Sequence, residues 1–286
     1  MTNEVQNDLP RNCPLCGANR LDRVVRFKTG QTVFFCTRCH NGHIWPPPHF
    51  TTSDYAAGHA NNAGIFAREE TRRRGYANHF CNFIRKCHTL AGTRVLEIGC
   101  GAGYLLDAMA SEGARVEGIE IDHDTRQLCI NRGLIVHNAD VTDWAKTHEG
   151  RYDLVVMCHV LEHMQDAKTC LSNCMLLLAP LGRLCVAQPL HTAFVPRVMG
   201  RRWQAWAPEQ HYWHFTPRGL SQLLTDQHFT VDAVTFSHPD YRYPSIRDVV
   251  RPKFFIACLT QAVAASFSWL IASHDQFYLS AHKQSN

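Results

Sequence analysis

The chain is short of charge and nearly even in sign. Lys, Arg, Asp and Glu make up 19% of 286 residues, and 29 basic against 25 acidic side chains leave a formal +4 with histidine neutral. An excess that small does not by itself point to nucleic acid. With 45% apolar residues, the chain also lacks the charge-rich, apolar-poor composition of a disordered polypeptide. It has no internal repeat and no low-complexity run. Met1–Pro10 holds no apolar segment of the secretory kind. The thirteen cysteines are odd in number and spread over a long chain, so they read as reduced thiols of a cytoplasmic protein, some held by metal, rather than as a disulfide framework.

Long apolar runs are scarce, with one exception. Phe254–Ser273 carries no formal charge and is long enough to raise the question of a membrane span. Thr260, Gln261, Ser266 and Ser268 dilute it. The segments on either side, Val231–Phe236 and Gln276–His282, read as two strands of one sheet, which a spanning helix would separate. The expectation is an inserted helix that packs on the core, covers the substrate site or lies on a membrane surface through 246–273. Arg247, Arg251 and Lys253 would then meet anionic lipid at the inner membrane face.

Three zones follow from the rest of the pattern. Residues 1–48 end in Trp45-Pro46-Pro47-Pro48, a stiff break because proline fixes φ and removes a donor. Residues 49–90 read as a linker and a helix. From 91 onward apolar strands alternate with helices, the signature of a parallel sheet covered on both faces, with inserted segments at 189–216 and 244–274.

Cys13-Pro-Leu-Cys16 and Cys36-Thr-Arg-Cys39 stand nineteen residues apart. This is zinc-ribbon spacing. A two-residue gap turns both thiolates of a knuckle toward one ion, and two knuckles close a four-sulfur shell with no open position, so the zinc would be structural. His40 and His43 are weaker alternatives as ligands.

The most informative stretch is Val95-Leu96-Glu97-Ile98-Gly99-Cys100-Gly101-Ala102-Gly103-Tyr104. A buried strand runs into a glycine turn and then a helix, so backbone can approach a ligand closely beside free N–H groups. The form is G-x-G-x-G rather than G-x-G-x-x-G, and the turn has no lysine, which excludes a triphosphate loop. Glu120 ends the next strand, seventeen residues past Gly103, where an acid takes a ribose diol. Asp140 stands at the tip of the third strand. Asp122 reads as a turn residue, and Asp143 as solvent-facing.

From Arg94 to Pro189 the chain resembles the class I S-adenosylmethionine-dependent methyltransferases. Glu97–Gly103 is similar to their first motif, Tyr152–His163 to their fourth strand and the turn after it, and Gly182–Pro189 to their fifth strand. The resemblance implies a Rossmann-like α/β sheet, mostly parallel with the last strand antiparallel, behind a small N-terminal zinc ribbon. It implies S-adenosylmethionine as methyl donor, held by Glu97, Gly99, Gly101, Gly103, Glu120, Asp140 and His159, with Glu120 on the ribose hydroxyls and Asp140 near the adenine amino group. The ribbon, Tyr55 and His211–Pro217 also resemble one bacterial subgroup, whose members act on sugars, glycolipids or other small metabolites. Asn41-Gly42-His43 departs from the apolar stretch usual there.

The reaction needs an acceptor in line with the methyl and, for a hydroxyl or carbon acid, removal of a proton. Ligands of open α/β sheets sit beyond the C-terminal strand ends, so candidate bases follow the fourth and fifth strands. His211 ranks first, then His163 and His159. Glu162, His191 and His214 complete the set. Arg197, Arg201 and Arg202 with Trp203 and Trp206 suggest an acceptor carrying phosphate, such as a sugar nucleotide or lipid-linked sugar. The expected function is methylation of a hydroxyl, or second a carbon, of a sugar-containing or other small acceptor. RNA methylation with the ribbon as grip is a weaker alternative. The ribbon is poor in basic residues, and His159-Val160-Leu161-Glu162 replaces the Asn/Asp-Pro-Pro-aromatic tetrad of amine methylation. A non-catalytic binding module is the third reading.

Overall fold

The structure is a computed structural model that describes residues 10–49, 51, 53–54, 62–237 and 275–284. The helices bearing on the site are α1 (Asn62–Arg68), α2 (Glu70–Cys87), α3 (Tyr104–Ser111), α4 (His123–Ile130), α5 (Val141–Ala145), α6 (Ala167–Leu177), α7 (Phe194–Met199) and α8 (Pro217–Asp226). The main sheet contains β4 (Arg94–Ile98), β5 (Arg115–Ile119), β6 (Val136–His137), β7 (Tyr152–Cys158), β8 (Leu178–Pro189), β10 (Phe229–Ser237) and β11 (Gln276–Lys283). The second sheet contains β1 (Leu21–Arg26), β2 (Thr32–Cys36), β3 (Gly42–Trp45) and β9 (Trp213–His214).

The main sheet runs β10-β11-β8-β7-β4-β5-β6. β4 pairs in parallel with β5 and β7, as do β5 with β6 and β7 with β8. β11 alone runs against its neighbours. This is the expected architecture. The central strands are continuous apolar runs because helices cover both faces. Val95, Leu154, Val156, Cys185 and Ala187 face α2 and α3, where they meet Phe80, Ile84, Leu106 and Met109. The alternate residues Leu96, Ile98, Val155, Met157, Leu184 and Val186 face α6 and α8. β8 starts at Leu178, four residues before the expected Gly182, because Tyr152 pairs with Leu178 ahead of a register shift.

The ribbon is not free-standing. Its strands run β1-β2-β3 and the order continues into β9, a strand from the segment just before α8, with Gly42 opposite His214 and His43 opposite Trp213. Cys13, Leu15 and Cys36 share one apolar cluster with Trp213, Phe215 and Leu220. On another flank Val33 and Ile44 pack against Trp203 and Trp206, each 3% exposed. Asn41, which departs from the usual pattern, is buried and accepts from Thr216 N at 3.4 Å. Thr216 caps α8 through Gly219 N and donates to the His40 carbonyl at 2.6 Å.

Gly219 is the tight point of this joint. A Cβ there would stand 2.1 Å from Asn41 Oδ1 and 2.7 Å from the Cys39 carbonyl. Gly219→Ala should therefore cost about 2–3 kcal/mol as overpacking against backbone, lowering the melting temperature by roughly 5–10 °C. Arg218→Ala, at the exposed neighbour, should leave the melt unchanged.

Phe254–Ser273, and with it the expected insertion 244–274 and membrane contact through 246–273, lies outside the described residues. The flanking strands do pair, with Ser237 opposite Gln276. Among the described residues no helix is long and apolar enough to cross a membrane.

Candidate active site

β4 lies where the strand order reverses, with β5 on one side and β7 on the other. A crevice opens there beyond the C-terminal strand ends. It contains a cavity of about 600 Å³ lined by the turn after β4, the tips of β5 and β7, and the segment 199–212. That volume is within the usual range for a small-molecule site.

The turn bends as its glycines allow. Gly99, Gly101 and Gly103 all have positive φ, at 61°, 52° and 72°. Glu120 holds it from the next strand, accepting from Gly101 N and Asp122 N at 2.9 Å each. Burial raises the Glu120 carboxyl above the ordinary range, against the pull of those two N–H groups. Glu97 is 3% exposed beneath the turn and also lines the cavity. Burial pushes its carboxyl well up although Leu106 N donates to it, and its Oε2 has no partner among the described residues. Asp140 lines the cavity and caps α5 through Thr142 N at 2.7 Å. Asp122 caps α4 through Thr125 N, as its turn reading implies, and Asp143 is exposed.

Opposite the turn, His159 follows β7 with φ 55°, a left-handed backbone uncommon outside glycine. Its Nδ1 lies 3.3 Å from Glu162 Oε1 and its Nε2 3.2 Å from Gln276 Oε1. Gln188 Nε2 donates to the other Glu162 oxygen at 2.9 Å. Burial alone would raise the Glu162 carboxyl, but the His159 hydrogen bond and the neighbouring imidazoles outweigh it and hold the group at about 2. Burial would likewise lower His159, and the Glu162 carboxylate reverses that and raises it.

The other histidines behave differently. His163 and His211 line the cavity and meet edge to face at 4.5 Å between ring centres. His211, the first-choice base of the sequence reading, is 7% exposed, and burial followed by repulsion from His163 pushes it down to about 3. So acidic a conjugate acid makes it a weak proton acceptor at neutral pH. Burial lowers His163 as well. His191 and His214 are buried away from the cavity and pack on one another and on Trp206.

The arginine cluster also needs correcting. Arg197, Arg201 and Arg202 are exposed and lie outside the cavity wall. Trp206 is spent on the ribbon interface, and Trp203 serves both that interface and the cavity. The sequence pattern could not separate these roles, because β-strand pairing between residues far apart in the chain decides them. Phe66, Arg73 and Tyr76 from the N-terminal helices line the cavity, as do Gln276 and Asp275, and none belongs to a motif. Gln188, which follows a strand predicted from its apolar run, had a positional signal.

The four ribbon cysteines come together. One ligand atom from each of Cys13, Cys16, Cys36 and Cys39 lies within 4.8 Å of the others, with Cys13 and Cys39 sulfurs 3.6 Å apart and Cys16 and Cys36 3.5 Å apart. Sulfurs about 3.8 Å apart are what tetrahedral Zn–S bonds of about 2.3 Å require, so the donor set and its spacing fit zinc. His40 and His43 are not part of the cluster.

A family model described as "Methyltransferase domain" matches residues 68–234. Among curated proteins, the chain is similar to a ubiquinone biosynthesis O-methyltransferase of Psychrobacter arcticus, at 30% identity over 52% of this chain and 66% of that protein. Two others of the same name, from Aromatoleum aromaticum and Psychrobacter cryohalolentis, are spanned over 43% and 50% of their length, so the chain covers less than two thirds of these relatives. Among solved structures, a SAM-dependent methyltransferase of Archaeoglobus fulgidus superposes with TM-score 0.56 at 19% identity, over 77% of this chain and 99% of that one.

Proposed function

Because the chain belongs to the methyltransferase domain family, with the class I fold of its S-adenosylmethionine-dependent members, we propose that it methylates a hydroxyl group of a small molecule. The observation that carries this reading is the glycine turn tied to Glu120 at the edge of a cavity large enough for a nucleoside and an acceptor. Glu120 would take the ribose hydroxyls, Asp140 would face the adenine side, and the unpartnered Glu97 Oε2 would accept from the ammonium end. S-adenosylmethionine would supply a methyl group on a positively charged sulfur, a leaving group that needs no further activation.

The protein's own task is then to orient the acceptor and take its proton. His159 is the group we assign to the proton. In its neutral form, with Nδ1–H on Glu162, it would accept from the hydroxyl at Nε2 in place of the Gln276 contact, and the Glu162 carboxylate would stabilise the imidazolium that results. The hydroxyl oxygen's lone pair forms the bond to the methyl carbon as the sulfur–carbon pair returns to sulfur. His211 and His163, the other two catalytic candidates, fit less well as bases because burial lowers both.

The acceptor end of the cavity carries Met164, Met199, Trp203 and Tyr212. These surfaces suit a flat, largely apolar ring bearing a hydroxyl, which agrees with the O-methyltransferase name of the curated relatives. A sugar nucleotide or lipid-linked sugar is the second acceptor class, since the arginines that suggested phosphate do not line the cavity. The four cysteines we read as a structural zinc site.

The test is calorimetric titration with S-adenosylmethionine, then tritiated methyl transfer to a simple catechol, a sugar nucleotide and total RNA. Heat of binding and label in the catechol are expected, and absence of any binding heat overturns the reading. His159→Asn should lower kcat by about 10²–10³-fold, a loss well beyond any it causes in S-adenosylmethionine affinity. An unchanged kcat would remove His159 from the chemistry.

A further inference from the structure

We propose that Glu162, His163 and His211 form a binding site for a divalent transition-metal ion at the acceptor end of the cavity. One ligand atom from each lies within 4.8 Å of the others, and all three residues line the cavity. Two imidazoles and one carboxylate are a donor set that suits manganese, iron, cobalt or zinc, and such three-residue sets leave positions open for a substrate oxygen. A loaded shell needs ligand atoms about 3.4 Å apart. The bound ion would draw the three groups that much closer.

An independent observation points to a missing ligand. His211 is 7% exposed, and its Nδ1 is buried with no hydrogen-bond partner among the described residues. A buried ring nitrogen without a partner is costly, and a metal ion is a partner that a bare imidazole lone pair accepts. An edge-to-face contact with His163 does not satisfy it. A metal ion does.

The surroundings are those that orient ligands around an ion. The Gln210 carbonyl lies beside the His163 ring and favours a proton on it. Gln188 and His159 occupy one site on each Glu162 oxygen, and a carboxylate has about four lone-pair positions. Tyr212 N donates to the Glu162 carbonyl at 2.8 Å. That bond fastens the segment carrying His211 to the turn carrying the other two ligands. The role of the ion rests on the methyl-transfer reading: held beside His159, it would bind the acceptor hydroxyl and make its proton easier to remove.

The experiment uses full-length protein with zinc already on the cysteines, so that added Mn(II), a poor match for thiolate, reports elsewhere. Free Mn(II) is followed by its EPR signal as protein is added. One ion bound per chain is expected. His211→Asn should weaken binding by about 100-fold, and Gln188→Leu by about tenfold, as loss of a ligand-orienting partner does. Each variant is first shown to retain its zinc and to bind S-adenosylmethionine by calorimetry. An undiminished free-ion signal at millimolar Mn(II), or equal binding by His211→Asn, overturns the site. If S-adenosylmethionine binds and Mn(II) does not, this inference alone falls. If S-adenosylmethionine does not bind, the methyl-transfer reading falls whatever the metal result.

Discussion

Glu120→Ala should weaken S-adenosylmethionine binding by about 100-fold or more, measured by calorimetry on the folded variant. The carboxylate would accept from two ribose hydroxyls, and hydrogen bonds to a charged group contribute about 1.5–3 kcal/mol each. Losing about 2.7 kcal/mol is a factor of 100. The same side chain also bonds Gly101 N, so its removal loosens the turn on which the nucleoside would rest. Glu120→Gln keeps the shape but has only one acceptor oxygen, and should be intermediate. A pH dependence follows. Burial raises the Glu120 carboxyl, and the protonated form is the poorer acceptor. Affinity should therefore fall on acidification, beginning at a higher pH than for an ordinary glutamate. Retention of full affinity in Glu120→Ala would sink the cofactor assignment.

Cys36→Ser should abolish methyl transfer while leaving S-adenosylmethionine affinity within threefold. Cys36 is fully buried and its N–H donates to the Asn41 carbonyl at 3.0 Å. Asn41 in turn meets Thr216, and the adjacent Gly42 and His43 pair with His214 and Trp213. Gln31 Nε2 donates to the Pro208 carbonyl at 2.7 Å, and Ile44 N to the Tyr212 carbonyl at 3.2 Å. The segment that carries His211 is thus suspended from the ribbon, whereas the glycine turn is held from β5. Loss of about 3 kcal/mol of metal-linked stability would lower the melting temperature by roughly 6–12 °C. The cysteine variant is preferred to chelation, which would act on both proposed metal sites. Parallel loss of cofactor binding and activity would mean that the two halves of the cavity do not separate in this way.

Much of this protein is legible without coordinates because it depends on neighbours in the chain. The apolar run Val95–Ile98 dictates a buried strand, and three glycines after it dictate a turn with positive φ. Asp122, Asp140 and Thr216 stand where helices need caps. The C-x2-C pairs specify a metal knuckle by spacing alone. Glu120 could be assigned from its distance past the turn, because a parallel sheet sets adjacent strand tips side by side.

The rest depends on which distant segments meet. Sequence spacing places His211 near the acceptor, yet only packing shows it buried and depressed beside His163. His159 gains its partner three residues on and a second, Gln276, from β11. The arginines at 197, 201 and 202 share their segment with Trp203, yet only the tryptophan turns inward. The sequence by itself determined the apolar strands, the glycine turn with the acid after it and the two C-x2-C pairs, since local periodicity and fixed spacing specify them. Only the tertiary structure decided the strand order and the wall of the cavity opposite the glycine turn, because burial, histidine basicity and the seating of the ribbon arise from contacts between residues as distant as Gln31 and Pro208, 177 positions apart.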